Sequence, residues 1–266
     1  MIKTLAFLFV FAQTAMAGVN FPQATVSGAI LSCGTAQDVL TGTTAETVAM
    51  LINPTADNDG GSTSRIFSRY ATGSGSGGFE EIDGAGTAAI ELLKVAGGGN
   101  MQVKTANNTL PLGVLHAVVV TTDNSLTATN THFYIDSSSE TTYQQQTSGS
   151  GAVGSLTGTT VYIGNRGDNT RPAAGILYQL AVWNIQLTAA DITSYMNYFN
   201  PQTIEPGHLV RWYSLNECAD GYSCAVTTFV DHGSSAQNCT AANATVGVAN
   251  PGSSISTGNL YAAHVY

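Results

Sequence analysis

The stretch GTTVYIGNRGDNTRPAAGILYQLAVWNIQLTAADI, residues 158–192, reads as strand, turn, strand and the start of a helix, and its reading decides the fold. GTTVYIGN and GILYQLAVW are rich in β-branched and aromatic residues and are bounded by Gly, Asn and Asp. Between them, residues 165–172 contain the tripeptide Arg166-Gly167-Asp168. A turn explains it without any adhesive role: Gly167 is expected to supply a positive φ, and Asp168 and Asn169 the side-chain hydrogen bonds of a tight turn. TAADITSYMNYF, residues 188–199, is the one convincing helix. Thr188 can cap it with Asp191 three residues on, Ile192, Tyr195, Met196 and Phe199 form an apolar stripe for core packing, and Pro201 stops it.

Working outward, short β-rich runs recur along the chain: ATVSGAILSC, ETVAMLINP, SRIFSRY, AAIELLKVA, NMQVKT, LHAVVVTT, THFYID and HLVRWYSL. In THFYID, Phe133 and Ile135 alternate with His132 and Tyr134, so one face is expected to be buried and the other wet. The Gly-rich segments 71–78 and 147–155 are read as loops inside one domain, because strand signals resume on either side. At 266 residues the chain is long enough for a single all-β sandwich. Alternation predicts a core containing Val48, Met50, Ile52, Val118, Val120, Phe133, Ile135 and Trp183.

Charged residues make up only 9% of the chain, and the formal net charge is -9 with eight Lys and Arg. No basic run exists to capture nucleic acid phosphates or anionic lipid. The sign suits cations or neutral partners such as glycans, and it also serves plain solubility. The N-terminus has Lys3, an apolar run from Leu5 to Ala12, then Ala15-Met16-Ala17, the pattern of a secretory signal cleaved after Ala17. That gives an export signal over 1–17 and one domain over 18–266, with no membrane insertion of the mature chain. Four cysteines behind such a signal favour disulfides. Three connectivities are open. One joins Cys218 to Cys224 across a short loop and leaves Cys33 with Cys239 to tie the two ends of the chain.

The 158–192 stretch resembles the concanavalin A-like LamG/pentraxin-type jelly-roll family. The resemblance lies in the Ile-Gly-Asn/Arg-x-Gly turn, the Pro-x-x-Gly return, the strand ending in an aromatic plus Asn, and the Leu-Thr-x-x-Asp-Ile helix. ETVAMLINP, RIFSRY and MQVK look like the family's successive core strands, and GVLHAVVVTTDN with THFYID like its central hairpin. The resemblance covers residues 24–200, and HLVRWYSLNE with VDHGSSAQNCTA, in the region 208–266, resembles a later strand pair that completes the sandwich. It implies an all-β, two-sheet antiparallel jelly roll with one short helix on the C-terminal side. Leu115 and Ala117 depart from the family's common Trp and His, and Tyr178-Gln179 from its common Asp-Glu pair.

Little in the chain announces catalysis. EEIDGAG, residues 80–86, looks briefly like the Glu-x-Asp-x-x-Glu strand of retaining glucanases, which need two carboxylates about 5 Å apart. Position 86 is Gly, and Glu80, Glu81 and Asp83 are read as part of a Gly-rich loop. No nucleophile elbow, zinc-protease motif or phosphate loop is present, and His116, His132, His208, His232 and His264 have no metal spacing. In ADNDGG, Asp57, Asn58 and Asp59 offer hard oxygen ligands suited to Ca2+, which the resemblance makes a reasonable occupant, although the spacing is not that of an EF-hand. Arg166, Asp168, Asn169 and Arg171 are the candidates for a ligand rim.

The expectation is a secreted, non-catalytic module at a cell or virion surface that binds a glycan or a surface protein. The alternatives are a structural subunit of a surface appendage, with self-assembly into a larger particle, and a glycan-cleaving enzyme. Asn107, Asn238 and Asn243 open Asn-x-Ser/Thr sequons that matter only in a glycosylating host. If the export reading holds, mass spectrometry of the protein recovered from the medium will find Gly18 as the first residue. An intact Met1 on exported protein overturns it.

Overall fold

The computed structural model describes residues 18–21, 30–35, 45–55, 64–71, 74–82, 89–123, 125–152, 159–217, 228–241 and 247–248. The proposed signal, 1–17, lies outside them. The described strands form two antiparallel sheets. The seven-stranded sheet holds β1 (Val19–Phe21), β3 (Glu46–Pro54), β8 (His116–Thr122), β9 (Thr131–Ile135), β12 (Gly175–Trp183), β13 (Leu209–Tyr213) and β16 (Gly247–Val248). The nine-stranded sheet holds β2 (Leu31–Thr35), β4 (Ser64–Ala71), β5 (Ser74–Ile82), β6 (Ala89–Lys94), β7 (Met101–Thr105), β10 (Tyr143–Thr147), β11 (Thr160–Ile163), β14 (Thr228–Phe229) and β15 (Cys239–Ala241). Chain order and spatial order differ. The seven-stranded sheet runs β16-β1-β12-β3-β8-β9 with β13 also on β12, and the other runs β10-β7-β6-β5-β4-β11-β2-β15-β14.

The inner faces of the two sheets meet in one apolar core. Val48, Met50, Ile52, Val118, Val120, Phe133 and Leu180 face Leu31, Phe67, Leu92, Val103 and Ile163 across it, all 3% exposed or less. Each such side chain contributes about 1.5–3 kcal/mol by leaving water, which is what holds two otherwise separate sheets together. Ile135 packs against the same core from its margin.

Strands β3 and β8 are buried on both faces, and the reason is α1 (Ala189–Tyr198). This helix and the residues after it lie over the back of the seven-stranded sheet, where Ala49, Val119, Ala181, Trp183, Ile192, Tyr195 and Leu209 form a second apolar cluster. Trp183 therefore belongs to this back cluster and not to the inter-sheet core expected for it. Its Nε1 donates to the Ile204 carbonyl at 2.8 Å, and its ring meets Tyr195 edge-on at 6.2 Å. The helix starts as its sequence predicts: Asp191 N–H donates to the Thr188 hydroxyl at 3.3 Å while the Thr188 N–H donates to the Asp191 carboxylate at 3.0 Å. Thr47 Oγ1 pins the approach, donating to the Ile185 carbonyl and accepting from Leu187 N–H at 2.8 and 2.9 Å.

Two local readings of the sequence are corrected. Residues 74–78 are not a loop but the first half of β5, paired with β4 and, from Gly78 on, with β6 as well. The ladder with β4 outweighs the poor strand propensity of Gly and Ser, since propensity in a sheet is mostly a matter of context. For the same reason Glu80 and Glu81 lie in a strand and not in a Gly-rich loop.

Cys33 and Cys239 are joined by a disulfide. The antiparallel register of β2 with β15, Ser32 opposite Thr240 and Leu31 opposite Ala241, sets these two cysteines directly across from one another. Cys218 and Cys224 lie outside the described residues.

Just after β11, Gly164 takes φ 81°, and a Cβ built on it would fall 2.0 Å from the Phe21 ring. Both the backbone and the space demand glycine. Gly164→Ala is expected to lower stability by at least about 2 kcal/mol, from left-handed strain plus overpacking, read as a drop in the denaturation midpoint.

Candidate functional site

Alternation along the nine-stranded sheet sends one set of side chains to the core and the other to the sheet's outer face. In β6, Ile90 and Leu92 are core residues, so Glu91 faces out; in β7, Met101 and Val103 are core residues, so Gln102 and Lys104 face out. The register lines these up across strands: Gln145 opposite Lys104, Lys104 opposite Glu91, Glu91 opposite Glu80, and Glu80 opposite Arg65.

Arg65 joins this row because of a bulge. The pairing of β4 with β5 slips by one residue between Arg65 and Phe67, and both Ile66 and Phe67 turn into the core, at 2% and 0% exposure. One extra residue thus re-aims everything before it, and Arg65 emerges on the outer face. The row is partly dry. Arg65 and Glu91 are each only 4% exposed although they face away from the core. Burial, and then the neighbouring Arg171 and Arg166, pull the Arg65 pKa down to about 9. Burial raises that of Glu91, against the opposing pull of Lys104 and Arg65 and a hydrogen bond from Gln102. Gln145 Nε2 in turn donates to Gln102 Oε1 at 3.0 Å.

The turn after β11 borders the row. Arg65 N–H donates to the Arg171 carbonyl at 3.0 Å, which fixes the turn beside the strand. Within it, Arg166 Nε and Nη2 donate to the two oxygens of Asp168 at 2.9 and 2.6 Å, and Nη2 also reaches Thr170 Oγ1 at 2.7 Å. The buried Asn165 accepts from the N–H groups of Arg166 and Arg171 at 2.8 and 3.0 Å. The left-handed position is Asn169, with φ 61°, where glycine at 167 had been expected to hold it. The reason lies in the turn's geometry: Asn169 N–H bonds back to the Arg166 carbonyl at 2.8 Å, so Gly167 and Asp168 are its two central residues and the reversal in sign comes one step after them. Arg166, Asp168, Asn169 and Arg171 thus lie together, and the arginine and the aspartate of the tripeptide bind each other. The hydrogen bonds from Arg166, with those from Thr170, hold the Asp168 carboxyl well below the usual carboxylate range.

The other expected residues are placed differently. Asp57, Asn58, Asp59 and Asp83 lie outside the described residues. Among the described residues no group of three or more His, Cys, Asp and Glu is arranged to hold a metal ion, and no helix is long and apolar enough to cross a membrane. Gln179 ties down the helix: it accepts from Tyr195 Oη at 3.0 Å and donates to the Phe199 carbonyl at 3.2 Å. His116, at the start of β8, is buried; its Nδ1 lies 2.6 Å from Asp136 Oδ2 and its Nε2 2.9 Å from the Pro111 carbonyl.

Glu91, Arg65, Lys104 and Gln145 were not singled out in the sequence, since they are scattered over 80 positions and only the register gathers them. The available signal was alternation in IELL and MQVK, where a charged or amide residue stands between core residues.

Sequence comparison matches residues 28–193 to the concanavalin A-like lectin/glucanases superfamily, Laminin_G_3. No curated protein is significantly similar to the chain. Among solved structures, a candidate carbohydrate-binding protein from Bacteroides ovatus ATCC 8483 is similar at 17% identity and TM-score 0.54, covering 88% of this chain and 59% of that one. Tailspike protein 2 of an Escherichia coli O157:H7 bacteriophage is similar at 18% identity and TM-score 0.51, covering 76% of this chain and 27% of that one. Domains LG4-5 of the mouse laminin alpha1 chain have 14% identity and TM-score 0.44, with coverages of 71% and 48%. The chain thus spans 59% and 27% of the first two proteins, and these likenesses are of fold.

The depressed Asp168 pKa gives a signed expectation. A carboxyl depressed on folding adds stability above its unfolded value near 3.8 and loses it as pH falls below that. Asp168→Asn should therefore be less stable than wild type at neutral pH, with the gap narrowing steadily as pH falls below about 5 in urea unfolding. A gap that stays constant with pH removes the ion pair from the account.

Proposed function

We propose that this chain, which belongs to the concanavalin A-like lectin/glucanases superfamily, is an exported, non-catalytic binding module that takes a glycan on the outer face of its nine-stranded sheet. The observation that carries this reading is the row Gln145, Lys104, Glu91 and Arg65, bordered by the 165–171 turn. Sugars are recognised by planar amide, carboxylate and guanidinium groups that donate and accept along fixed directions, and a sheet holds such groups at regular spacing with little entropy left to lose on binding. A row already linked by Gln145–Gln102 and Gln102–Glu91 hydrogen bonds is preorganised in that sense.

The internal Arg166–Asp168 pair supports a rim role for the turn over display of the tripeptide to an adhesion receptor, because display would first have to break a two-oxygen ion pair. In this reading Asp57, Asn58 and Asp59 hold Ca2+ as a loop-bracing ion, and binding measured with and without a chelator tests that part separately.

The central test is a glycan array followed by titration calorimetry on Gln145→Ala and Lys104→Ala. Each variant is expected to weaken binding about 5- to 10-fold, the worth of one hydrogen bond, with the melting temperature unchanged. Undiminished binding in both variants moves the site elsewhere. Release of reducing sugar from bound glycans overturns the non-catalytic assignment.

A further inference from the structure

We infer that the glycan is acidic: the outer-face site takes a sugar bearing a carboxylate, received by Arg171 and Arg65. This rests on the glycan-binding reading above and narrows it to one chemical class.

The chain has eight Lys and Arg against seventeen Asp and Glu. The sequence shows no basic run, yet three of those eight, Arg65, Arg166 and Arg171, are gathered at the β4 end of the row, where the Arg65 N–H meets the Arg171 carbonyl, while Lys104 stands three strand pairings away beside Gln145. The acidic positions among them are Glu91, Asp168 and, at the register position between Glu91 and Arg65, Glu80. On an acidic protein, three of the eight positive charges in one patch is a departure from the mean.

The guanidinium groups of Arg171 and Arg166 lie near enough to act on that of Arg65, which is almost out of water. Like charges brought together where the dielectric is low raise the free energy of the unliganded site, and an arriving anion lowers it. The guanidinium fork matches the two oxygens of a planar carboxylate, so the ligand charge is received with direction as well as sign. The amides of Gln102 and Gln145 at the other end of the row serve neutral hydroxyls, beside a Lys104 that stands opposite Glu91 and acts on its carboxylate. The site thus has an arginine end and an amide end, as an oligosaccharide with one acidic residue requires.

The test compares an acidic oligosaccharide with its carboxyl-reduced counterpart, which keeps every ring and hydroxyl but has no charge, together with a sulfated oligosaccharide of equal length. The wild-type protein is expected to prefer the carboxylate form by at least about 10-fold over the reduced form at low salt, the difference shrinking as salt rises. Arg171→Gln should bring that preference to within about 3-fold, while Gln145→Ala weakens both forms alike. The Arg171 N–H donates to Asn165 Oδ1 and its carbonyl accepts from Arg65 N–H, contacts that the substitution leaves in place, and unchanged melting of the variant checks that it folds. Equal binding of both forms, or binding of the sulfated glycan alone, overturns the inference while glycan recognition stands. Binding of no glycan overturns the reading beneath it.

Discussion

Strand β12 is where the two sides of the molecule must agree. One edge pairs with β3 along its whole length, while the other is shared, β1 taking residues 175–177 and β13 residues 180–183. Its inward side chains, Leu177, Leu180 and Val182, close the inter-sheet core, and its outward ones, Ala181 and Trp183, receive the helix. Such a strand cannot read as simple alternation of apolar and polar residues, and it does not: GILYQLAVW is almost continuously apolar. The one register slip in its pairing with β3, between Leu177 and Gln179, places Tyr178 and Gln179 together on the helix side. A slip of one residue elsewhere would turn the core face toward the helix and the helix face toward the core, so β12 fixes the register of its neighbours as well as its own.

On the opposite sheet the division of labour is different. The core side is apolar and uninterrupted, and the outer side is free to hold charge because no helix among the described residues covers it. Where the inward rows run out, the molecule also buries charge inside. Lys94, continuing the row of Ile90 and Leu92, donates to Thr122 Oγ1 at 3.0 Å near Glu46, Asp123 and Arg69. Burial leaves its pKa at about 8 despite the two carboxylates, so this end of the sandwich closes with a polar cluster where the apolar layer thins.

The sequence made some of this legible and hid the rest for definable reasons. Thr188 and Asp191 announce the helix because a capping box is a local device. Val48, Met50 and Ile52 reveal their face because a period of two survives in a short run. The strand through Gly75, Gly77 and Gly78 is hidden, since what makes it a strand is its ladder with β4, joined on the other edge by β6 from Gly78 on. Arg65 was hidden by a bulge that depends on β5. The tripeptide around Gly167 was assigned correctly to a turn, but its left-handed residue was misplaced, because turn type follows from which carbonyl Asn169 N–H reaches and composition does not record that. The candidate site as a whole was out of reach for a similar reason: its residues are neighbours only through four successive strand pairings.

The bridge between Cys33 and Cys239 has a mechanical meaning. It spans 206 positions and so encloses β3 through β14 in one covalent loop. A pull applied to the chain outside that loop, as on a module anchored at one end and loaded at the other, passes through the sulfur bridge and not through the ladders. The enclosed strands bear no tension, and only the outlying pieces, such as β1 and β16, can be peeled away. The row on the nine-stranded sheet lies inside the loop. Its geometry would then persist under shear that stretches the flanking segments, and the loss of grip would be set by the ligand's own off-rate and not by extension of the sandwich.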